Sequence, residues 1–167
     1  MKLALNIKSL FQNKPRRNQH FVFVEAPSKI VGPEIISWGE ATWWPKRCSM
    51  RFLKQTPGEI KVGTRYQQKV LMLFGPRWNV EVTKFVADKE IERTFLDGIL
   101  IGAEQVTIEE RLNGTRVDYV MNYSIRGFAK KMLWRFFFER MHDRNIEMIL
   151  AALNNFCIEK YNKETQQ

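Results

Sequence analysis

Apolar and polar residues alternate along most of the first 125 positions, and after Phe128 the alternation gives way to apolar spacings of three and four. The two-residue period predicts seven strands, over residues 19–26, 48–55, 62–74, 78–87, 90–96, 99–111 and 115–125. Turn signals separate them at Pro57-Gly58, Gly75-Pro76, Asp88-Lys89, Asp97-Gly98 and Asn113-Gly114. The last lies between two alternating runs and gives the strongest hairpin signature. Between the first two strands, Ser28 to Trp38 predicts a short helix opened by Pro33 and closed by Gly39, followed by a loop carrying Trp43 and Trp44. All nine Gly and all six Pro fall between Pro15 and Gly127. The stretch after them predicts one unbroken helix over 128–161, roughly 50 Å long at the standard rise. Its inward stripe is expected to be Trp134, Phe138, Met141, Asn145, Met148, Ile149, Ala152 and Phe156. A striped helix of that length needs an apolar bed, and a one-faced sheet needs a cover. The expected fold is therefore α+β, a seven-stranded curved antiparallel sheet wrapped around a long C-terminal helix, with a cavity between the layers.

Alternation also assigns faces. Tyr66, Gln68, Val70, Met72 and Phe74 are predicted inward on the third strand, Trp78, Val80 and Val82 on the fourth, and Val117, Tyr119, Met121, Tyr123 and Ile125 on the seventh. On the sixth, Val106 and Ile108 fix a register that carries Leu100, Gly102 and Glu104 inward, with Gly102 read as a bulge or bend. On the fifth, Ile91 and Phe95 carry Arg93 inward. An acid and a base facing each other on the apolar side of one hairpin predict a buried ion pair, because either charge alone would be costly to bury. Two readings of the pair stay open: convergent polar groups of a ligand site, or a network that satisfies itself. The candidate ligand-binding set is Trp43, Tyr66, Gln68, Trp78, Arg93, Glu104, Tyr119, Tyr123, Trp134, Phe138 and Met141, with Glu104 the candidate catalytic residue. His20 and His142 adjoin no Ser or Cys nucleophile in a recognisable motif and read as ordinary surface or strand residues.

Composition narrows the class. The chain has 167 residues, 44% of them hydrophobic, 27% charged and 13% aromatic, which suits one globular domain with a substantial core. No apolar run is long enough to span a bilayer, so an integral membrane protein is not expected. Cys48 and Cys157 lie far apart without metal-ligand spacing around them; no metal site is expected, and free buried thiols are the simplest reading. The net charge of +9 is uneven: Lys2, Lys8, Lys14, Arg16 and Arg17 precede the first acid, Glu25. Residues 1–18 thus form a basic arm, 19–161 the domain and 162–167 a disordered tail. The leader fits a secretory signal poorly and stays open between a solvated arm, a targeting segment and an anchor on anionic membrane through residues 1–17. Met132, Leu133, Phe136 and Phe137 are apolar beyond the helix stripe and must face a cavity mouth, a loop, a partner such as a second copy, or a lipid surface.

The order of elements resembles the START-like superfamily, also called helix-grip, SRPBCC or polyketide cyclase/dehydrase-like. The stretch Pro57-Gly58 through Gly63-Thr64-Arg65-Tyr66 resembles its turn and strand entry, and Asn113-Gly114-Thr115-Arg116-Val117 resembles its last hairpin. The likeness covers residues 19 to 161. It implies a hydrophobic pocket between helix and sheet holding a lipid, an isoprenoid or quinone, or an aromatic polyketide, with no cofactor required. The alternatives are a cyclase or dehydrase using Glu104 as general acid or base, and surface binding to anionic membrane or, less supported by motif, nucleic acid. The expected location is cytoplasmic, with peripheral membrane contact through the arm.

Overall fold

The computed structural model describes residues 15–73 and 75–166. Strands β1 (Arg16–Val24), β2 (Met50–Lys54), β3 (Arg65–Val70), β4 (Arg77–Val86), β5 (Glu90–Phe95), β6 (Leu100–Arg111) and β7 (Gly114–Ile125) form one antiparallel sheet in the order β1-β7-β6-β5-β4-β3-β2. Helix α1 (Ser28–Ile36) links β1 to β2 by way of the tryptophan loop. After β7 the chain winds as α2 (Phe128–Leu133), a π turn (Trp134–Phe138) and α3 (Glu139–Thr165), together one helix of 38 residues set against the curled sheet. The α+β architecture expected from the pattern is the one found.

The inward faces follow the alternation. Val80, Val82, Leu100, Val106 and Val117 are fully or almost fully buried beneath Ile146, Ile149 and Leu153 of α3. Cys48 and Cys157 are free and buried in the same core.

Six details depart from the expectation. Met72 is exposed, because β3 stops at Val70: the N–H of Val70 bonds to Pro76 O and that of Leu71 to Ser49 O, turning the chain out of the strand early. Phe74, predicted inward beside it, lies outside the described residues. Pro33 sits inside α1 rather than opening it; the helix begins instead behind the extended Pro27, whose neighbour Ala26 O accepts the Thr115 hydroxyl at 2.8 Å. β1 begins at Arg16, taking the last residues assigned to the basic arm into the sheet, since Arg16 and Asn18 reach Glu139 and Asp143 on the helix. The arm's residues 1–14 lie outside the described residues. At the other end, α3 runs to Thr165 through most of the segment assigned to a disordered tail, aided by the Lys163–Glu159 pair one turn apart.

Helix phase is the fifth. The buried line is Trp134, Phe138, His142, Asn145, Ile146, Ile149, Leu150, Leu153 and Cys157. Met141, Met148, Ala152 and Phe156, predicted inward, are half-buried along its edge, one position out of phase.

Gly102 is not a bulge: it pairs in register with Tyr123 at a φ of +128°, and a Cβ there would stand 2.1 Å from Asn122 O. Only glycine fits such an approach. Gly102→Ala is expected to destabilise the fold by about 2 kcal/mol or more, seen as a lower urea midpoint with an unchanged slope.

Candidate functional site

β5 and β6 pair with Arg93 directly opposite Glu104, both on the helix side of the sheet. The result is an ion pair of 3.1 Å between groups that are 0% and 1% exposed. Three donors converge on the Glu104 carboxylate. Arg93 Nη1 and Gln68 Nε2 donate to Oε1, at 3.1 and 2.6 Å, and the Tyr119 hydroxyl donates to Oε2 at 3.0 Å. Gln68 in turn accepts from Trp78 Nε1 at 2.5 Å. Because Gln68, Trp78, Arg93, Glu104 and Tyr119 come from five different strands, the carboxylate ties the sheet together from β3 to β7.

Arg93 is served less fully. Its guanidinium lies 5.4 Å from the Tyr66 ring centre and 5.8 Å from that of Phe52, two aromatic faces that favour a cation. Its Nε and Nη2, and the Tyr66 hydroxyl beside it, are buried and make no hydrogen bond among the described residues. A buried donor left unpaired costs about 1–3 kcal/mol, so three polar atoms in one place are the feature of the core that most requires an account.

From Glu104 the network leads outward. The Tyr119 hydroxyl stands 3.3 Å from His142 Nε2, and His142 Nδ1 faces Asp143 Oδ1 at 3.7 Å. Asp143, partly open to solvent, accepts from Asn18 at 2.5 Å, and His20 lies 3.6 Å away. Burial pushes the Asp143 carboxyl up, but His142 and Asn18 beside it outweigh that and hold it below the usual range. A second polar group pins the π turn: Trp134 Nε1 donates to the Tyr123 hydroxyl at 3.2 Å, Tyr123 donates to Glu139 at 3.0 Å, and Glu139 pairs with Arg16. The Trp134 ring packs edgewise on Trp78, 6.4 Å between centres, and so joins the two groups.

Of the residues singled out by sequence, Tyr66, Gln68, Trp78, Arg93, Glu104, Tyr119, Tyr123, Trp134 and Phe138 are brought together under the helix. Trp43 and Met141 are not. Trp43 donates to Glu34 of α1 at 2.8 Å within a cluster of Trp38, Trp44 and Phe52, which packs the wall behind Arg93. His142, expected as an ordinary surface or strand residue, is instead buried on α3, and Phe52 joins the site without a sequence signal; the spacing of four from Phe138 is the signal that places His142 inward. Cavities of about 380 Å³ lined by described residues lie elsewhere, one between β1 and α3 and one beside α1.

The fold recurs in solved structures of other proteins. The Zhui aromatase/cyclase from Streptomyces is 16% identical, with a TM-score of 0.61 over 86% of this chain and 94% of that one. A Thermus thermophilus protein is also 16% identical, with a TM-score of 0.61 over 88% and 99% of the two chains. The KanY protein matches at 16% and 0.64, over 86% and 98%. The fold is START-like. No protein-family model and no curated protein matches the sequence. At these identities the likeness carries the fold alone, and the START-like grip of this chain must be read from its own side chains.

Those side chains have a titration consequence. Burial pushes the Tyr66 and Tyr123 phenols up to about 12, and burial together with the charge of Glu104 holds Tyr119 well above the ordinary range. A folded-state pKa above the unfolded value of about 10 means the linked stability is intact below that pH and is lost as pH rises through the folded value. In a near-ultraviolet absorbance titration these three of the four tyrosines are expected to stay protonated past about pH 11, ionising only with loss of the circular dichroism signal.

Proposed function

We propose that the protein binds a hydrophobic small molecule that carries an acceptor oxygen, a lipid, an isoprenoid or quinone, or an aromatic polyketide-like compound. The observation that carries this reading is the unpaired Arg93 Nε and Nη2 beside the unpaired Tyr66 hydroxyl. A carbonyl or carboxylate oxygen would satisfy these donors, while an apolar body would lie against Phe52, Trp78, Trp134 and Phe138. Burying that body supplies the driving force at roughly 25 cal/mol per Å², and the donors supply orientation. The polar centre is sealed from solvent, so uptake requires the helix and a neighbouring loop to part. The aromatase/cyclase among the structural neighbours is in keeping with a ligand of this kind.

Tyr66→Phe separates ligand binding from folding. Removing a buried hydroxyl that has no partner is expected to leave the free protein as stable or more stable, yet to weaken binding of a quinone or fatty-acid probe by about three- to tenfold. Native mass spectrometry of purified protein gives the first readout. A protein that takes up no quinone, fatty acid or aromatic polyketide would overturn the proposal.

A second reading rests on the line from Glu104 through Tyr119 and His142 to Asp143, which leads from a buried carboxylate to the surface. Such a line suits a general acid or base that exchanges its proton during cyclisation or dehydration. Glu104→Gln discriminates: turnover lost with ligand affinity kept supports catalysis, whereas a loss of about 3–5 kcal/mol of stability, as for a buried charge deprived of its partner, supports a structural pair.

A further inference from the structure

The register brings three connections to one end of the grip. β6 and β7 pair Leu100 with Ile125, so the β5–β6 turn and the start of α2 lie together, and Arg126 N–H bonds to Ile99 O at 3.0 Å. The β3–β4 connection joins them, because Asn79 binds Asp97 at 2.7 Å and Trp78 packs on Trp134. This end is apolar where it meets water. Leu73 is 82% exposed, Phe136 63% and Phe137 67%, with Met72, Phe128 and Leu133 around half-exposed. The π turn causes this on the helix side, turning Trp134 and Phe138 into the core and leaving Phe136 and Phe137 outside.

Cations surround the apolar side chains. Arg77, Arg126, Lys130, Arg135 and Arg140 are exposed, and none forms an ion pair among the described residues. Residues 70–78 and 125–138 contain no acid, and the one carboxylate of the β5–β6 turn, Asp97, accepts from Asn79 N–H and Nδ2 at 2.7 and 2.6 Å. Glu139, the nearest carboxylate on the helix, is already taken by Arg16 and Tyr123.

We infer that this end of the grip docks on an anionic lipid surface, with the aromatic and leucine side chains entering the headgroup boundary and the cations meeting lipid phosphates. Exposed aromatics with flanking Lys and Arg are the composition that settles at such a boundary. Juxtaposed cations add attraction to anionic lipid. Charge decides the occupant: a second copy meeting this face symmetrically would oppose five unpaired cations with five more. The inference does not rest on the ligand proposed above.

The test is co-sedimentation of the full chain with vesicles of phosphatidylcholine alone and of an equimolar mixture with phosphatidylglycerol. The wild type is expected to partition onto the anionic vesicles only. Phe136→Ser combined with Phe137→Ser, and independently Leu73→Ser, should lower that partitioning by about tenfold or more. Lys130→Glu with Arg135→Glu should abolish it. Leu112→Ser, in the hairpin at the opposite end and 99% exposed, should change nothing. Circular dichroism melts confirm folding, which these exposed sites do not support. Equal binding to both vesicle types, no binding, or aromatic and Leu73 variants that partition like the wild type would overturn the inference. So would light scattering that shows a dimer dissolved by the aromatic variant, or a preference for single-stranded RNA over vesicles.

Discussion

A charge pair that water does not reach holds the centre of this protein. Arg93 and Glu104 face each other across one rung of the sheet, and burying either charge is tolerable only while the other stays opposite it. That requirement constrains much else. A slip of one residue between β5 and β6 would throw one of the two to the outer face and strand the other, so the pair pins the register. Tyr119 must come from β7 to reach the second carboxylate oxygen, and His142 must lie over Tyr119, which sets the rotation of α3 about its own axis. The pair is also lopsided. Glu104 receives three hydrogen bonds, whereas Arg93 gives one and rests on two rings, so the interior retains capacity to donate.

The sheet was legible because its pattern is strict and its punctuation regular. Two hydrophobic anchors on each of β5 and β6 sufficed to turn Arg93 and Glu104 inward and to pair them. The helix was legible in extent more than in phase. Met141 and Met148 compete by hydrophobicity with His142 and Asn145, and the polar pair wins because Tyr119 and Ser49 hold partners for it. Asn145 accepts from Ser49 N–H at 3.0 Å and donates to the Ser49 hydroxyl at 2.9 Å, a match between segments 96 residues apart that no local pattern reveals. Trp43 departs from the pattern for the same reason, since its partner Glu34 belongs to a helix that the alternation does not connect to the loop. At Met72 the alternation persisted in sequence beyond the point where the backbone had already turned away.

The two ends of the grip are built from different chemistry. Beside α1, Glu34 links Trp43 to Lys160, and a group of tryptophans closes the wall between helix and sheet. At the other end the helix begins without an N-terminal side-chain cap, behind Gly127, and leaves aromatics in water. A motion that parts the layers at this second end must break the Trp134–Tyr123–Glu139–Arg16 group, and the polar centre lies within reach of that end through Trp78 and Trp134.

The wider turn of the helix at Trp134–Phe138 also sets how the molecule tolerates change in length. In an α-helix each residue advances about 100° around the axis. The π turn closes an i→i+5 bond over the gap that an α turn closes with i→i+4, so excising a single residue from it would restore a regular helix and leave both the six residues ahead of it and the rod downstream in their present orientation. The widened turn thereby takes up one surplus residue that a regular helix would have passed on to its first segment as a rotation.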